Sequence, residues 1–268
     1  MTRLPGRLVL LGHPVSHSLS PTFQNAALRR AALPLRYEAL DVSPGALPAV
    51  LDTLVASNAV GNVTIPHKEA VAARCARLTP LAERVGAVNT FWVETGALVG
   101  DNTDVGGFLH LLEATASDVD RTRPVALLGA GGAAAGVLAA LEQAGFRDVG
   151  VHARTSERAT SLCTRFPIAS THGSLDDLVS SAGLVVNATP VGLDGVAVPV
   201  DAARLATDAV VLDLIVRLDE TALVRESRAR GLRAAGGLEM LFAQGALSFE
   251  RWFGVAPDWD AMRASLAR

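Results

Sequence analysis

The sequence predicts an α/β protein of two domains. Short apolar runs alternate with helical stretches along most of the chain, a glycine-rich turn joins one such run to an alanine-rich helix near the middle, and 268 residues exceed one average domain. Composition agrees. Half of the residues are hydrophobic but only 4% are aromatic, so Ala, Val and Leu must fill the core, which suits layered helices on parallel strands.

The first series of elements reads as strands at 7–12, 35–40, 61–64 and near 87–92, with helices at 21–32 and 45–57 and a further helix opened by Pro66. Proline suits a first helical turn, and Gly96 marks a turn after the last of these strands. A second series begins at Val125 with a strand, the glycine-rich turn and a helix, then strands at 149–152, 184–187 and 210–214. That order suggests a nucleotide-binding half. The polar stretch 117–124, ending in proline, and the pair Gly236-Gly237 before a long helix to Phe253 are the candidate hinges.

The formal net charge is -3 without a long basic run, so the electrostatic footprint expected for nucleic acid or anionic lipid is missing. Residues 124–141 carry no charge, but four glycines interrupt them and they begin as a strand, which argues against a membrane span. The apolar stretch 8–11 soon meets Gly12 and Pro14, so no signal peptide is expected. Cys75 and Cys163 match no disulfide framework or metal spacing, and a reducing cytoplasm fits them.

The turn itself runs Val125-Ala126-Leu127-Leu128-Gly129-Ala130-Gly131-Gly132-Ala133-Ala134. This strand, turn and helix context is what a G-x-G-x-x-G/A dinucleotide fingerprint requires. Gly129 makes the tight turn, Gly131 lets the backbone approach a pyrophosphate, and Ala134 allows close helix packing; a glycine turn that only packs a helix on a sheet is the plainer reading. The next strand separates two cofactors. An NAD site calls for an acid at its end to receive the ribose 2′-hydroxyl. Here the strand ends His152-Ala153-Arg154-Thr155, with Arg158 one helical turn on, so charge complementarity to a 2′-phosphate favours NADP.

In the first half, His17-Ser18-Leu19-Ser20-Pro21 opens a helix and offers hydroxyls and amides to a small anion, or simply a Ser20 cap. Asn62 and Thr64 alternate on one strand face, and Lys68 follows within the first helical turn, where a partly buried amine with a lowered pKa could exchange protons near neutrality. His67 by itself reads as structural or exposed. Asn89-Thr90 and Asn102-Thr103-Asp104 lie at strand ends, which can face one cleft, although Asp104 alone reads as a helix cap.

Taken together, Ser18-Leu19-Ser20-Pro21, Asn62-Val63-Thr64-Ile65-Pro66-His67-Lys68, Gly86-Ala87-Val88-Asn89-Thr90 and Asn102-Thr103-Asp104 resemble the shikimate dehydrogenase family in order and spacing. The glycine turn, Arg154-Thr155, Asn187-Ala188-Thr189-Pro190-Val191-Gly192 and Gly237-Leu238-Glu239-Met240-Leu241 with Gln244 extend the resemblance over nearly the whole chain.

The resemblance implies a discontinuous α/β substrate domain, 1–103 and 238–268, a Rossmann-like NADP-binding domain at 104–237, and a cleft between them. It implies that Ser18 and Ser20 hold the substrate carboxylate, and that Asn62, Thr64, Lys68, Asn89, Asp104 and Gln244 meet the ring and its hydroxyls. Gly129, Ala130, Gly131, Gly132 and Ala133 would take the pyrophosphate, Arg154, Thr155 and Arg158 the 2′-phosphate end, and Thr189, Leu214 and Gly237 the nicotinamide side.

The implied activity is reversible, NADP-dependent reduction of 3-dehydroshikimate to shikimate on the route to chorismate and the aromatic amino acids, by a cytoplasmic monomer or homodimer whose partner is the small-molecule substrate. Oxidising a ring alcohol leaves a hydroxyl proton for a side chain to accept. Lys68 and Asp104 are the catalytic candidates, and a close pair of this kind titrates as a unit. One departure stands out: the family commonly carries tyrosine three positions after Asp213, and here that residue is Val216. The loss of that hydroxyl keeps quinate or another ring acid open as the substrate. A catalytically silent NADP-binding sensor is the alternative from another class, and the retained Lys68 and Asp104 argue against it.

Overall fold

The computed structural model describes residues 4–267. In chain order the elements are β1 (Leu8–Gly12), α1 (Ser20–Arg30), β2 (Tyr37–Asp41), α2 (Leu47–Ala56), β3 (Val60–Val63), α3 (Lys68–Arg74), β4 (Arg77–Leu78), α4 (Pro80–Val85), β5 (Thr90–Glu94) and β6 (Ala97–Asp101). There follow α5 (Asp104–Ala116), β7 (Val125–Leu128), α6 (Gly132–Gln143), β8 (Val149–His152), α7 (Ser156–Arg165), β9 (Ala169–Thr171), α8 (Leu175–Ser181) and β10 (Leu184–Asn187). A 3-10 turn at Ala202–Arg204 leads to β11 (Val210–Asp213), α9 (Ala222–Ala229), β12 (Arg233–Gly236), α10 (Leu238–Phe253) and α11 (Trp259–Ala264). Two compact units form: one from the residues up to Thr103 and from Gln244 onward, the other from Asp104–Ala243.

The first unit holds a six-stranded sheet in the order β2-β1-β3-β5-β6-β4. All five residues of β1 are buried, as expected of a strand covered on both faces, and β1 pairs in parallel with β2 and β3. The expectation of parallel strands fails at the next step, because β5 runs antiparallel to both β3 and β6. The cause is local. Thr95 and Gly96 both have positive φ, at 51° and 77°, and this two-residue turn closes a hairpin where a helical crossover would have kept the strands parallel. Val9, Leu11, Leu51, Leu54, Phe91 and Leu98 are among the core side chains packed around this sheet.

Two elements of this unit carry too little periodicity to be read from sequence. β4 is two residues long, and α4 spans six, fixed by Thr79, which accepts from the Ala82 amide at 3.2 Å, and closed by Gly86 in the left-handed region. Pro66 does not open a helix. It follows a cis Ile65–Pro66 bond in a turn where the His67 amide donates to the Thr64 carbonyl at 2.9 Å, and α3 starts at Lys68.

In the second unit six strands, ordered β12-β11-β10-β7-β8-β9, are all parallel. β7, β10 and β11 are buried throughout, so their sequences read as continuous apolar runs. The chain builds β7, β8 and β9 outward to one side and then crosses to build β10, β11 and β12 on the other. This order is that of a doubly wound Rossmann-type sheet, and it opens a crevice at the carboxyl ends of β7 and β10. The uncharged run at 124–141 divides between β7 and α6, and among the described residues no helix is long and apolar enough to cross a membrane.

The first unit also draws on α10. Arg251 donates to the Asp101 carboxylate at 2.7 Å and lies 5.6 Å from the centre of the Trp92 ring, while the Asp101 side chain is only 5% exposed. Removing the guanidinium leaves a nearly buried carboxylate with the Thr79 hydroxyl and the Asn102 amide as its remaining donors. Arg251→Ala is therefore expected to lower stability by about 1–3 kcal/mol in a urea titration, whereas Arg74→Ala, whose partner Asp52 is exposed, should change it by less than about 1 kcal/mol.

Candidate active site

Polar side chains cluster at one end of the first sheet, where β3 ends, β5 begins and β6 ends. Asn62, Asn89, Thr103, Gln244 and Ser248 are all buried there. The Asn62 carboxamide accepts from the Tyr37 hydroxyl at 2.8 Å and donates to the Asn89 carbonyl at 3.0 Å and to the Ser248 Oγ at 2.8 Å. Asn89 Nδ2 donates to Thr103 Oγ1 and, at 3.3 Å, to Gln244 Oε1, while Asn89 Oδ1 accepts from the Thr103 amide at 2.7 Å. These bonds set the amide orientations. Gln244 turns its carbonyl end to Asn89, and therefore its NH2 end away.

Ser248 links the cluster by donating to the Gln244 carbonyl at 2.9 Å and bonding Thr103 Oγ1 at 3.0 Å. In the sequence Ser248 shows only a hydroxyl at a helical position, and Thr103 only its place in the Asn102-Thr103-Asp104 motif. Gln24, also unremarked, donates to the Gly245 carbonyl at 2.9 Å and so fixes α1 to α10 beside Gln244.

Ser18 and Ser20 stand at the start of α1, but the capping roles differ from expectation. Leu19 occupies the cap position with helical backbone angles and makes no side-chain cap bond, Ser20 is the first helical residue, and the Ser20 amide donates to Ser18 Oγ at 3.2 Å. Thr64 lies just beyond β3, half-buried, with its amide bonded to the Leu11 carbonyl. Lys68, half-buried, begins α3, and its carbonyl accepts from the Val88 amide at 3.0 Å, which ties the helix start to the segment carrying Asn89. His67 is structural. It is buried and bonds the Val42 carbonyl through Nε2 at 2.6 Å.

In the second unit, Asp104 is buried as the first helical residue of α5, one position inside the cap role read from sequence. Its Cβ would lie 3.7 Å from a Cβ added at Gly136, so the start of α5 packs closely on α6.

The glycine turn fits a dinucleotide. Gly129 has φ +109°, and a Cβ there would sit 2.9 Å from the Ala188 carbonyl oxygen, so no other residue suits the position. At Gly131 and Gly132 a Cβ would meet nothing within 4 Å, which leaves open space over the amino end of α6. Ala130 and Ala133 flank that space half-buried, and Ala134 is fully buried against the sheet. An anion set there meets unpaired backbone amides and the positive end of the helix dipole.

At the end of β8, Arg154 and Arg158 are exposed and make no ion pair or hydrogen bond among the described residues, while Arg123, Arg204, Arg217, Arg228 and Arg233 of the same unit are all paired with carboxylates. Thr155 caps α7 by position without a side-chain bond to its amides. Two unengaged guanidinium groups beside an uncapped helix start suit a 2′-phosphate.

Thr189, Leu214 and Gly237 gather around the ends of β10 and β11. The Leu214 amide donates to the Asn187 carbonyl at 2.9 Å, and a Cβ at Gly237 would lie 2.5 Å from the Leu214 carbonyl oxygen, so only glycine permits this approach. Thr189 donates through its hydroxyl to Asn187 Oδ1 at 2.7 Å. Val216 is half-buried on the same segment. Neither cysteine competes as a reactive group: Cys75 and Cys163 are unbridged, and burial pushes the Cys75 thiol up to about 11.

Three family models match the chain in sequence: the shikimate dehydrogenase substrate binding domain over residues 10–91, shikimate / quinate 5-dehydrogenase over 111–191, and the shikimate 5'-dehydrogenase C-terminal domain over 237–267. A shikimate dehydrogenase (NADP(+)) from Mesorhizobium japonicum is 42% identical, with 97% of this chain and 95% of the relative covered. Among solved structures, shikimate 5-dehydrogenase from Thermus thermophilus in complex with NADP(H) and shikimate is 40% identical over 98% of each chain, with a TM-score of 0.89. Quinate dehydrogenase from Corynebacterium glutamicum in complex with NAD is 28% identical over 96% of this chain and 97% of that one, also with a TM-score of 0.89. The chain belongs to the shikimate dehydrogenase family.

Proposed function

We propose that this protein reversibly reduces 3-dehydroshikimate to shikimate with NADPH. The observation that carries the reading is the full-length likeness, at 40% identity, to an enzyme solved with both NADP(H) and shikimate. The glycine turn and the unengaged Arg154 and Arg158 support the choice of cofactor. No helix of the described residues is fit to span a membrane, and the unbridged thiols suit a reducing compartment, so we assign the enzyme to the cytoplasm.

When bound, the nicotinamide supplies or receives the hydride. The protein's own groups hold the substrate and move the proton. Ser18 and Ser20, with the amides of the α1 start, take the substrate carboxylate. Thr64, Asn89 and Gln244 bond the ring hydroxyls, Gln244 through the NH2 end that Asn89 turns outward. Asn62 orients its neighbours, donating to the Asn89 carbonyl and to Ser248 Oγ. Lys68 carries the hydroxyl proton, and Asp104 orients the reacting hydroxyl.

In the cofactor unit, residues Gly129 to Ala133 bind the pyrophosphate through backbone amides, Arg154, Thr155 and Arg158 bind the 2′-phosphate, and Thr189, Leu214 and Gly237 line the nicotinamide side. A second reading, quinate or a related ring acid as the preferred substrate, is favoured by Val216, where the family's common tyrosine hydroxyl is missing.

Turnover of shikimate and quinate measured with NADP and with NAD should show shikimate with NADP as the preferred pair, and a clear preference for quinate with NAD would overturn the assignment. Lys68→Ala is expected to lower kcat by about 10²–10⁴-fold with a small change in the KM for shikimate; unchanged turnover would remove Lys68 from proton transfer. Arg154→Ala should raise the KM for NADP about tenfold or more, given about 1.5–3 kcal/mol for a charge-assisted contact, and leave that for NAD nearly unchanged. Equal losses for both cofactors would reject the phosphate contact.

A further inference from the structure

Asp213 closes β11 with its side chain wholly withdrawn from solvent. Its Oδ1 accepts from Asn187 Nδ2 at 2.8 Å and from the Ile215 amide at 3.2 Å, and its Oδ2 accepts from the Thr221 hydroxyl at 2.6 Å. Thr221 is in turn the cap of α9, accepting from the Val224 amide at 3.3 Å.

The carboxylate leaves Asn187 no choice of orientation. Its NH2 must face Asp213, and the second hydrogen of that group reaches the Val191 carbonyl at 3.1 Å. Its Oδ1 then faces the other way, where it accepts from the Thr189 amide at 3.0 Å and from the Thr189 hydroxyl at 2.7 Å. The Val191 amide donates to Thr189 Oγ1 at 3.2 Å, and a Cβ at Gly192 would lie 4.0 Å from Asp213 Oδ2. One buried acid thus governs the turn from Thr189 to Gly192 on one side and the Leu214–Ile215 backbone on the other. Both segments lie at the carboxyl ends of β10 and β11, and the Ala188 amide bonds the Leu128 carbonyl next to Gly129 of the dinucleotide turn.

Burial raises the Asp213 pKa against three hydrogen bonds that lower it, so the fold holds this charge at an energetic disadvantage. A strand end in need only of packing is better served by an apolar residue. Strained ionisation next to a ligand crevice points to a functional group.

We propose that Asp213 is a positioning residue for the cofactor: through Asn187 it fixes the Thr189 hydroxyl and the Leu214 backbone in the arrangement that receives the nicotinamide end of NADPH. The inference rests on the dehydrogenase reading above and adds a residue that touches neither substrate nor cofactor.

The test is an NADPH fluorescence titration of the full-length protein, paired with steady-state kinetics. Asp213→Ala should raise the NADPH Kd at least tenfold and leave the KM for shikimate, measured at saturating cofactor, within about twofold. Asp213→Asn should restore the Kd to within about threefold of the wild type, because its carbonyl can still accept from Asn187 and Ile215 while Thr221 rotates to accept from its NH2. A merely structural role predicts a lower Tm for Asp213→Ala with the NADPH Kd unmoved, and that result overturns the proposal. Should Asp213→Ala fail to fold, Asn187→Ala keeps the acid and removes the amide it orients; it should show the same loss of NADPH affinity, and a wild-type Kd would overturn the proposal equally. Wild-type protein that binds NADPH without oxidising shikimate would instead defeat the substrate reading, and the binding titrations would still decide the role of Asp213.

Discussion

Polar side chains at the ends of buried strands have no water to turn to, so each must find a partner within its own unit. Both halves of this protein are arranged around that constraint. In the first, the carboxamides of Asn62 and Asn89 and the hydroxyls of Thr103 and Ser248 satisfy one another, and in doing so they set which end of Gln244 is presented. In the second, Asp213, Asn187, Thr189 and Thr221 do the same at the carboxyl ends of β10 and β11. A satisfied network has one low-energy arrangement, which is what a site that must hold reacting groups in register needs.

Close backbone approach is the second recurring device. At Gly129 and Gly237 a side chain would meet a carbonyl oxygen at 2.9 Å and 2.5 Å, so the glycine turn can lie against Ala188 and the start of α10 against Leu214. At Gly131 and Gly132 the reason for glycine is the reverse. Nothing of the protein stands there, and the space suits a phosphate. The same residue type therefore does two jobs a few positions apart, and only the neighbours distinguish them.

Charge follows a similar division. Among the described residues, five arginines of the second unit pair with nearby carboxylates, whereas Arg154 and Arg158, like Arg121, Arg147 and Arg225, do not, and it is the place of Arg154 and Arg158 at the end of β8 that suits a phosphate. The buried Asp213 is the opposite case, a charge kept inside and surrounded by donors.

Much was determined by sequence alone, because local chemistry suffices for it. The bounds of β8 and β10, the long helix ending at Phe253, the turn at Gly96 and the dinucleotide turn all follow from apolar runs punctuated by glycine, and Arg154 and Arg158 after β8 favour NADP by charge complementarity. Sequence could not show that the first sheet is mixed, since β5 pairs antiparallel with β3 across the intervening α3, β4 and α4, a meeting that no local signal encodes. Nor could it show that Ser18 rather than Ser20 accepts at the start of α1, or that Pro66 stands outside α3, because helix boundaries shift by a residue or two with their surroundings. The roles of Ser248 and Asp213 belong wholly to tertiary structure: each bonds residues that folding brings to it from elsewhere in the chain, such as Asn62 and Thr103 for the one and Asn187 for the other, and no spacing in the sequence encodes those meetings.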